Sequence, residues 1–305
     1  GRHRGDLERL REDTRKICQG HCDLFASRAP GAIASTASTA KAPFDHYLFL
    51  LHAVDDGYGG LEHRASTALI SPRNDLPVAG DASLSEGYRD LLGLISHEYF
   101  HAWNVKRIKP AVFMTAHGAY DTAHESYTRL LWLFEGFTSY YDDLMLERVG
   151  LITEADYLKL IGRRLTQLLR APGAGLQAVT DASFDAWIKY YRADENAPNS
   201  QFSYYLRGSF IALALDLSQR ASGDDAPTLD DIMHALWREF GVTGKGVPED
   251  PSEWFSGQAQ RDLTGFFERY VNGTENPDWA ALLKPFAINY RTRPSASAAD
   301  RGGRN

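Results

Sequence analysis

His97-Glu98-Tyr99-Phe100-His101 is the stretch that decides how this chain is read. A helix advances 3.6 residues per turn, so histidines at i and i+4 leave it on one face. Two such imidazoles can share one metal ion, and Glu98 stands where a metal-bound water could be deprotonated. This is the spacing of zinc hydrolases, in which that carboxylate is the general base. The segment before the motif, from Tyr88, has helical periodicity. The segment after it runs to Pro110, which ends a helix. A helix over 88–108 is therefore expected.

Two histidines hold a catalytic zinc poorly, because such sites use three protein ligands and leave a fourth position for water. The candidate third ligand is Glu135, in Leu131-Trp-Leu-Phe-Glu-Gly-Phe-Thr-Ser-Tyr-Tyr141. A carboxylate inside so apolar a run is costly to bury unless a metal or cation meets it. Helical spacing of apolar groups places it on a second helix, expected over 126–149 and packed against the first. Two neutral imidazoles and one carboxylate leave a Zn2+ site net positive, which lowers the pKa of bound water. Glu98 can take that proton and pass it to a leaving amine.

Three segments carry a family resemblance: Tyr58-Gly-Gly-Leu-Glu-His-Arg-Ala-Ser66, His97 to Pro110, and Leu131 to Tyr141. Together they resemble the glycyl aminopeptidase family of zinc metallopeptidases, in that family's order, over about residues 48–273. The separation of His101 from Glu135 also suits that family. The resemblance implies an α+β, mainly helical fold. It would be a thermolysin-like zinc peptidase catalytic domain, with a small N-terminal sheet lobe (about 1–110, with the zinc helix) and a helical lobe (about 111–290). It implies a peptide substrate with a free N-terminus and a small first residue such as Gly or Ala. Members usually carry a further N-terminal β-rich domain and a C-terminal PDZ module, so this chain is expected to be the catalytic core of a longer protein or a truncated member.

By the same resemblance, Glu62 would bind the substrate's amino terminus, with Gly59 and Gly60 letting a substrate backbone come close. A partly desolvated carboxylate paired with an α-ammonium enforces exopeptidase register. Tyr205, with Tyr204 as its rival, would donate to the tetrahedral oxyanion. Thermolysin-like enzymes orient a histidine with an Asp one turn after the Glu ligand. That position here is Ser139, leaving Asp142 or Asp143 as the substitute. Lys106 and Arg107 can meet a substrate carboxylate or the protein's own acids.

The 305 residues carry a net charge of −7 and are 43% hydrophobic, ample for a core and poorly suited to nucleic acid. No apolar run reaches the roughly 18 residues that a membrane span needs. Cys18 and Cys22 flank His21 on an amphipathic helix expected over 6–25; a second zinc site would need more ligands, so these are read as ordinary helix residues. Residues 26–42 read as an exposed connector, 47–54 as a buried strand, and 66–70 as its partner. Further helices are expected over 153–169, 181–191, 205–220, 228–240, 249–257 and 262–271. Residues 291–305, rich in Ser, Ala, Arg and Gly, are expected to be a disordered tail. A zinc endopeptidase or other amide hydrolase, and a non-catalytic peptide-binding protein, remain as alternatives. Oligomeric state and compartment are not readable from the sequence.

Overall fold

A computed structural model describes residues 5–26, 42–114, 123–297 and 299–303. The connector expected over 26–42 lies almost wholly outside these residues. The chain divides into two compact units, one of residues 1–107 and 141–153, the other of 108–140 and 154–305. Tyr141–Thr153 belongs with the N-terminal unit.

The first unit opens with α1 (Leu7–Phe25), whose first turn is capped by Asp6 accepting from the Arg9 amide at 3.0 Å. Three strands follow: β1 (Leu48–Val54), β2 (Gly59–Glu62) and β3 (Ser66–Pro72). Their order is β1-β3-β2, with β1 parallel and β2 antiparallel to β3. β1 was expected to be buried. It is instead an edge strand whose alternate residues Leu48 and Leu50 are exposed, because among the described residues only β3 pairs with it. A continuous apolar run marks a strand without saying that both its faces are covered.

Helix α2 (Glu86–Phe100) is capped by Ser85, whose hydroxyl accepts from the Tyr88 amide. It stops well short of the expected Ile108. The Ala102 and Trp103 amides bond three residues back, to Tyr99 and Phe100, tightening the last turn. Trp103 is thereby buried, stacked on Phe25 of α1 at 4.9 Å between ring centroids. On the other side Phe100 stacks on Tyr141 at 5.2 Å. These contacts hold the motif helix between α1 and the returning segment.

His21 of α1 is fully buried, its Nε2 2.8 Å from Ser96 Oγ. Burial first, and then the Arg148 charge, push its pKa down from 6.5 to about 3. The folded protein therefore holds it neutral, while the unfolded chain takes up a proton below about 6.5. Its contribution is complete above that pH and is lost as pH falls toward 3, at up to about 1.4 kcal/mol per pH unit. The stability gap between wild type and His21→Leu, measured by denaturant melts, should narrow over this window. A gap constant from pH 7 to 4 would contradict this account.

In the second unit a π-helical turn, Trp132–Gly136, runs directly into α3 (Phe137–Arg148), whose residues from Tyr141 on belong to the first unit. The helix expected from Ser126 thus begins later and in a wider form. Then come α4 (Glu154–Leu169), α5 (Val179–Phe184), α6 (Ala197–Ser200) and α7 (Tyr204–Arg220). The helix expected over 181–191 is only α5 and a short 3-10 turn, Tyr190–Arg192. α8 (Leu229–Leu236), α9 (Ser252–Gln258), α10 (Thr264–Phe266) and α11 (Trp279–Leu283) complete the unit.

α7 is the core of this unit and is buried along nearly its whole length. Ser203 caps it by accepting from the Leu206 amide. Its buried charges are answered: Arg207 donates to the carbonyls of Ala174, Gly273 and Glu275, and Asp216 accepts from Tyr140, Arg220 and the Leu229 amide. It crosses the π turn glycine on glycine: a Cβ on Gly208 would lie 2.8 Å from Gly136 Cα and clash with the Trp132 carbonyl.

The expectation of disorder from Arg291 onward does not describe 293–297 and 299–303. Asp300 is buried, paired with Arg293, and its carbonyl accepts from Arg170. Composition signalled a solvated chain, but one carboxylate with an Arg partner and the Ala296 and Gly302 amides anchors it. Among the described residues no helix is long and apolar enough to cross a membrane.

Candidate metal and active site

His97 sits in the last turn of α2 and His101 is the residue that caps its C-terminus. Their rings lie 4.7 Å apart, nearly perpendicular. The Nδ1 atom of each meets an acceptor. His101 Nδ1 donates to the Asn104 carbonyl at 2.7 Å, and His97 Nδ1 donates to Asp142 Oδ2 at 3.1 Å. A backbone carbonyl only accepts, so His101 carries its proton on Nδ1 and its lone pair on Nε2. Asp142 selects the same tautomer for His97. Of the two aspartates considered for this task, Asp142 is the one that meets His97. Asn104 orients His101 through its backbone, which no side-chain pattern could reveal.

Glu98 is 4% exposed. β2 passes against it at Gly60, where a Cβ would fall 2.5 Å from Glu98 Cγ and closer still to its carboxylate. Gly60 was expected to make room for a substrate backbone. Here it makes room for Glu98. Gly59 has φ +153°, with nothing within 4 Å of where its Cβ would stand.

Glu62, at the end of β2, is paired with Lys106 Nζ at 2.9 Å from Oε1. Lys106 thus meets one of the protein's own acids. Arg107 spends its guanidinium on the backbone carbonyls of Pro43, Arg64 and Ala102.

Glu135 lies in the π turn. Inserted π turns recur at functional sites because they turn one side chain out of helical register. Tyr204 and Tyr205 open α7 with rings stacked at 4.6 Å. Tyr204 is fully buried and Tyr205 half-buried. Burial, and then the charge of Glu135, push the Tyr205 phenol well above its ordinary pKa, so it remains a donor at neutral pH. Tyr191 joins both, its hydroxyl 3.0 Å from that of Tyr204 and 2.8 Å from that of Tyr205. The sequence offered no signal for Tyr191, which falls there at the end of the helix expected over 181–191.

Among the described residues, His97, His101 and Glu135 form the group of three able to hold a metal ion, one donor atom of each lying within 4.8 Å of the others. Two imidazoles and a carboxylate make a donor set that fits zinc. Cys18 and Cys22 belong to no such group: burial pushes the Cys18 thiol up to about 12, and both thiols approach Tyr99.

This donor set and helix order define a class, and sequence comparison gives the family. Residues 90–211 match the M61 glycyl aminopeptidase family, and the chain belongs to that family of peptidases. The whole chain also superposes on the crystal structure of an aminopeptidase N family protein from Idiomarina loihiensis, with a TM-score of 0.90 and 39% identity. This chain spans 49% of that protein's length. No curated protein matches the chain.

Proposed function

We propose that this chain is the thermolysin-like catalytic domain of a zinc-dependent aminopeptidase. It would remove small residues such as Gly or Ala from peptides with a free N-terminus. The observation that carries the proposal is the grouping of His97, His101 and Glu135, with Glu98 next to His97 in the chain. When bound there, zinc would supply a Lewis acid that acidifies a water and polarises the scissile carbonyl.

The chain's own residues divide the remaining work. Asp142 and the Asn104 carbonyl hold the two rings with Nε2 presented to the metal. Glu98 accepts the proton of the attacking water and returns it to the leaving amine. Tyr205 donates to the carbonyl oxygen as negative charge develops on it. Glu62 accepts from the substrate's α-ammonium on the oxygen that Lys106 does not hold, while Lys106 orients the carboxylate.

The Lys106–Glu62 pair also favours the endopeptidase alternative, since the chain's own ammonium already sits on the proposed anchor. Hydrolysis of glycyl- and alanyl-p-nitroanilide beside their N-acetylated forms decides between them. Chelator-sensitive cleavage of only the free amines, restored by zinc, is the expected result. Equal cleavage of blocked substrates would establish the endopeptidase reading, and no cleavage with zinc stoichiometrically bound would establish a binding role. Glu62→Gln removes the charge but keeps the shape. It should raise KM for the free amines about 10- to 100-fold, the worth of one charge-assisted hydrogen bond. An unchanged KM would remove Glu62 from the site.

A further inference from the structure

Both oxygens of the Glu249 carboxylate are engaged, and both bonds end on the chain that enters the Glu135 turn. Oε1 accepts from the Thr128 hydroxyl at 2.6 Å, and Oε2 accepts from the Arg129 amide at 2.7 Å. Thr128 is buried, and its hydroxyl oxygen also accepts from the Leu130 amide at 3.2 Å. We propose that Glu249 is a positioning residue that, through Thr128 and the Arg129 amide, fixes the start of the π turn and so sets how tightly Glu135 holds a metal ion. This rests on the reading of Glu135 as a metal ligand.

The first amides of a helix have no partner within it and need one from elsewhere. Here the turn begins at Leu130, whose carbonyl accepts from the Leu133 and Phe134 amides. The amides ahead of it are met by side chains. Arg129 donates to Glu249, Leu130 to Thr128, and Trp132 to Ser183 Oγ at 3.0 Å. Ser183 is held in turn by donating to the Val179 carbonyl within α5. A carboxylate at this end also suits the helix dipole. The register matters because a π turn carries one residue more than an α-helical turn. Losing that residue would rotate the following side chains by about 100° around the axis. The groups that pin the entry therefore decide where Glu135 points.

Glu249 acts from an anchored backbone, which a positioning residue requires. Val247 is fully buried; its amide donates to the Lys109 carbonyl at 2.7 Å, and its carbonyl accepts from the Ala111 amide at 2.8 Å. Gly246 allows this approach, since a Cβ there would meet the Ala111 backbone. Arg129 is held at its other end as well. Its guanidinium pairs with Asp181 and lies 5.1 Å from the centre of the Phe184 ring. Residues 247–249 thus tie the chain that follows the His101 segment to the chain that precedes Glu135.

The test is the zinc affinity of the metal-free protein, measured by competition with a chromophoric chelator, beside its melting temperature in the same state. Glu249→Ala should weaken zinc binding about tenfold, the scale of one lost hydrogen bond. Glu249→Gln keeps an acceptor for the Arg129 amide and should restore the affinity to within about threefold of wild type. Thr128→Val keeps the side-chain shape without the hydroxyl and should also cost about tenfold. Combined with Glu249→Ala it should cost less than the two losses together, because the residues share a bond. Asp231→Ala is the control: it breaks the capping box of α8, so it should lower the melting temperature and leave zinc affinity as in wild type. Wild-type affinity in Glu249→Ala, with zinc lost from Glu135→Ala, would overturn the inference and leave the ligand reading standing. An equal loss of affinity in Asp231→Ala would overturn it too, since general destabilisation would then explain the effect. Wild-type affinity in Glu135→Ala would remove the ligand reading and the inference with it. Should Glu249→Ala not fold, Thr128→Val carries the same test, and unchanged affinity there would overturn the inference.

Discussion

Glu98→Gln is expected to lower kcat by about 10²- to 10⁴-fold with the metal content of the protein unchanged. Glutamine has the shape of glutamate, so the close approach of Gly60 and the burial of this side chain are preserved. It has no basic oxygen able to take a proton from water near neutral pH. It is also not one of the three proposed ligands, so zinc stoichiometry measured by elemental analysis should stay as in wild type. The contrast with His101→Ala is the informative one: that variant should lose metal and turnover together. Near-normal turnover in Glu98→Gln would remove the general-base assignment. Metal loss in Glu98→Gln would show that Glu98 is needed to hold the ion.

Gly208→Ala should be the most damaging single methyl group in the second unit. A Cβ there meets the Trp132 carbonyl and Gly136 Cα, and backbone cannot rotate aside as a side chain can. Overpacking of this kind costs roughly 1–3 kcal/mol, and more where relief requires helices to separate. Gly136 follows Glu135 directly, and Gly208 stands one turn after Tyr205 on α7. Any relief therefore displaces the proposed ligand and the proposed oxyanion donor. A lowered melting temperature with weakened zinc affinity is the expected pair of results. Gly257→Ala is the control, since nothing lies within 4 Å of its Cβ position. In that helix the change should be neutral or stabilising by up to about 1 kcal/mol. Equal melting temperatures for the two variants would mean that the glycine crossing does not position the π turn.

Some features were legible because they are local. The i, i+4 spacing of His97 and His101 needs only helical geometry to put both rings together, and α2 supplies it. The lone carboxylate in an apolar run identified Glu135, since burial makes any such charge conspicuous. Asp6 marks the start of the helix expected from it, its side chain accepting from the Arg9 amide three residues on. Boundaries failed where the chain departs from regular periodicity. α2 ends at Phe100 because Trp103 is drawn against Phe25, and the wider turn at Trp132–Gly136 has no signature in residue type. The C-terminal stretch was misread because one buried, paired Asp300 outweighs a solvated composition.

By itself, then, the sequence determined the donor types, their spacing on α2, the carboxylate beside them and the family to which the chain belongs. Those are properties of single helices and short segments, set by covalent order and a 3.6-residue turn. Tertiary structure decided which neighbours these groups acquire: Asp142 rather than Asp143 for His97, Lys106 on Glu62, Gly60 against Glu98, and Tyr191 between Tyr204 and Tyr205. Each of these joins residues from different segments. Hydrogen bonds and ion pairs are short-ranged and directional, so only the packed chain selects which partner lies within reach.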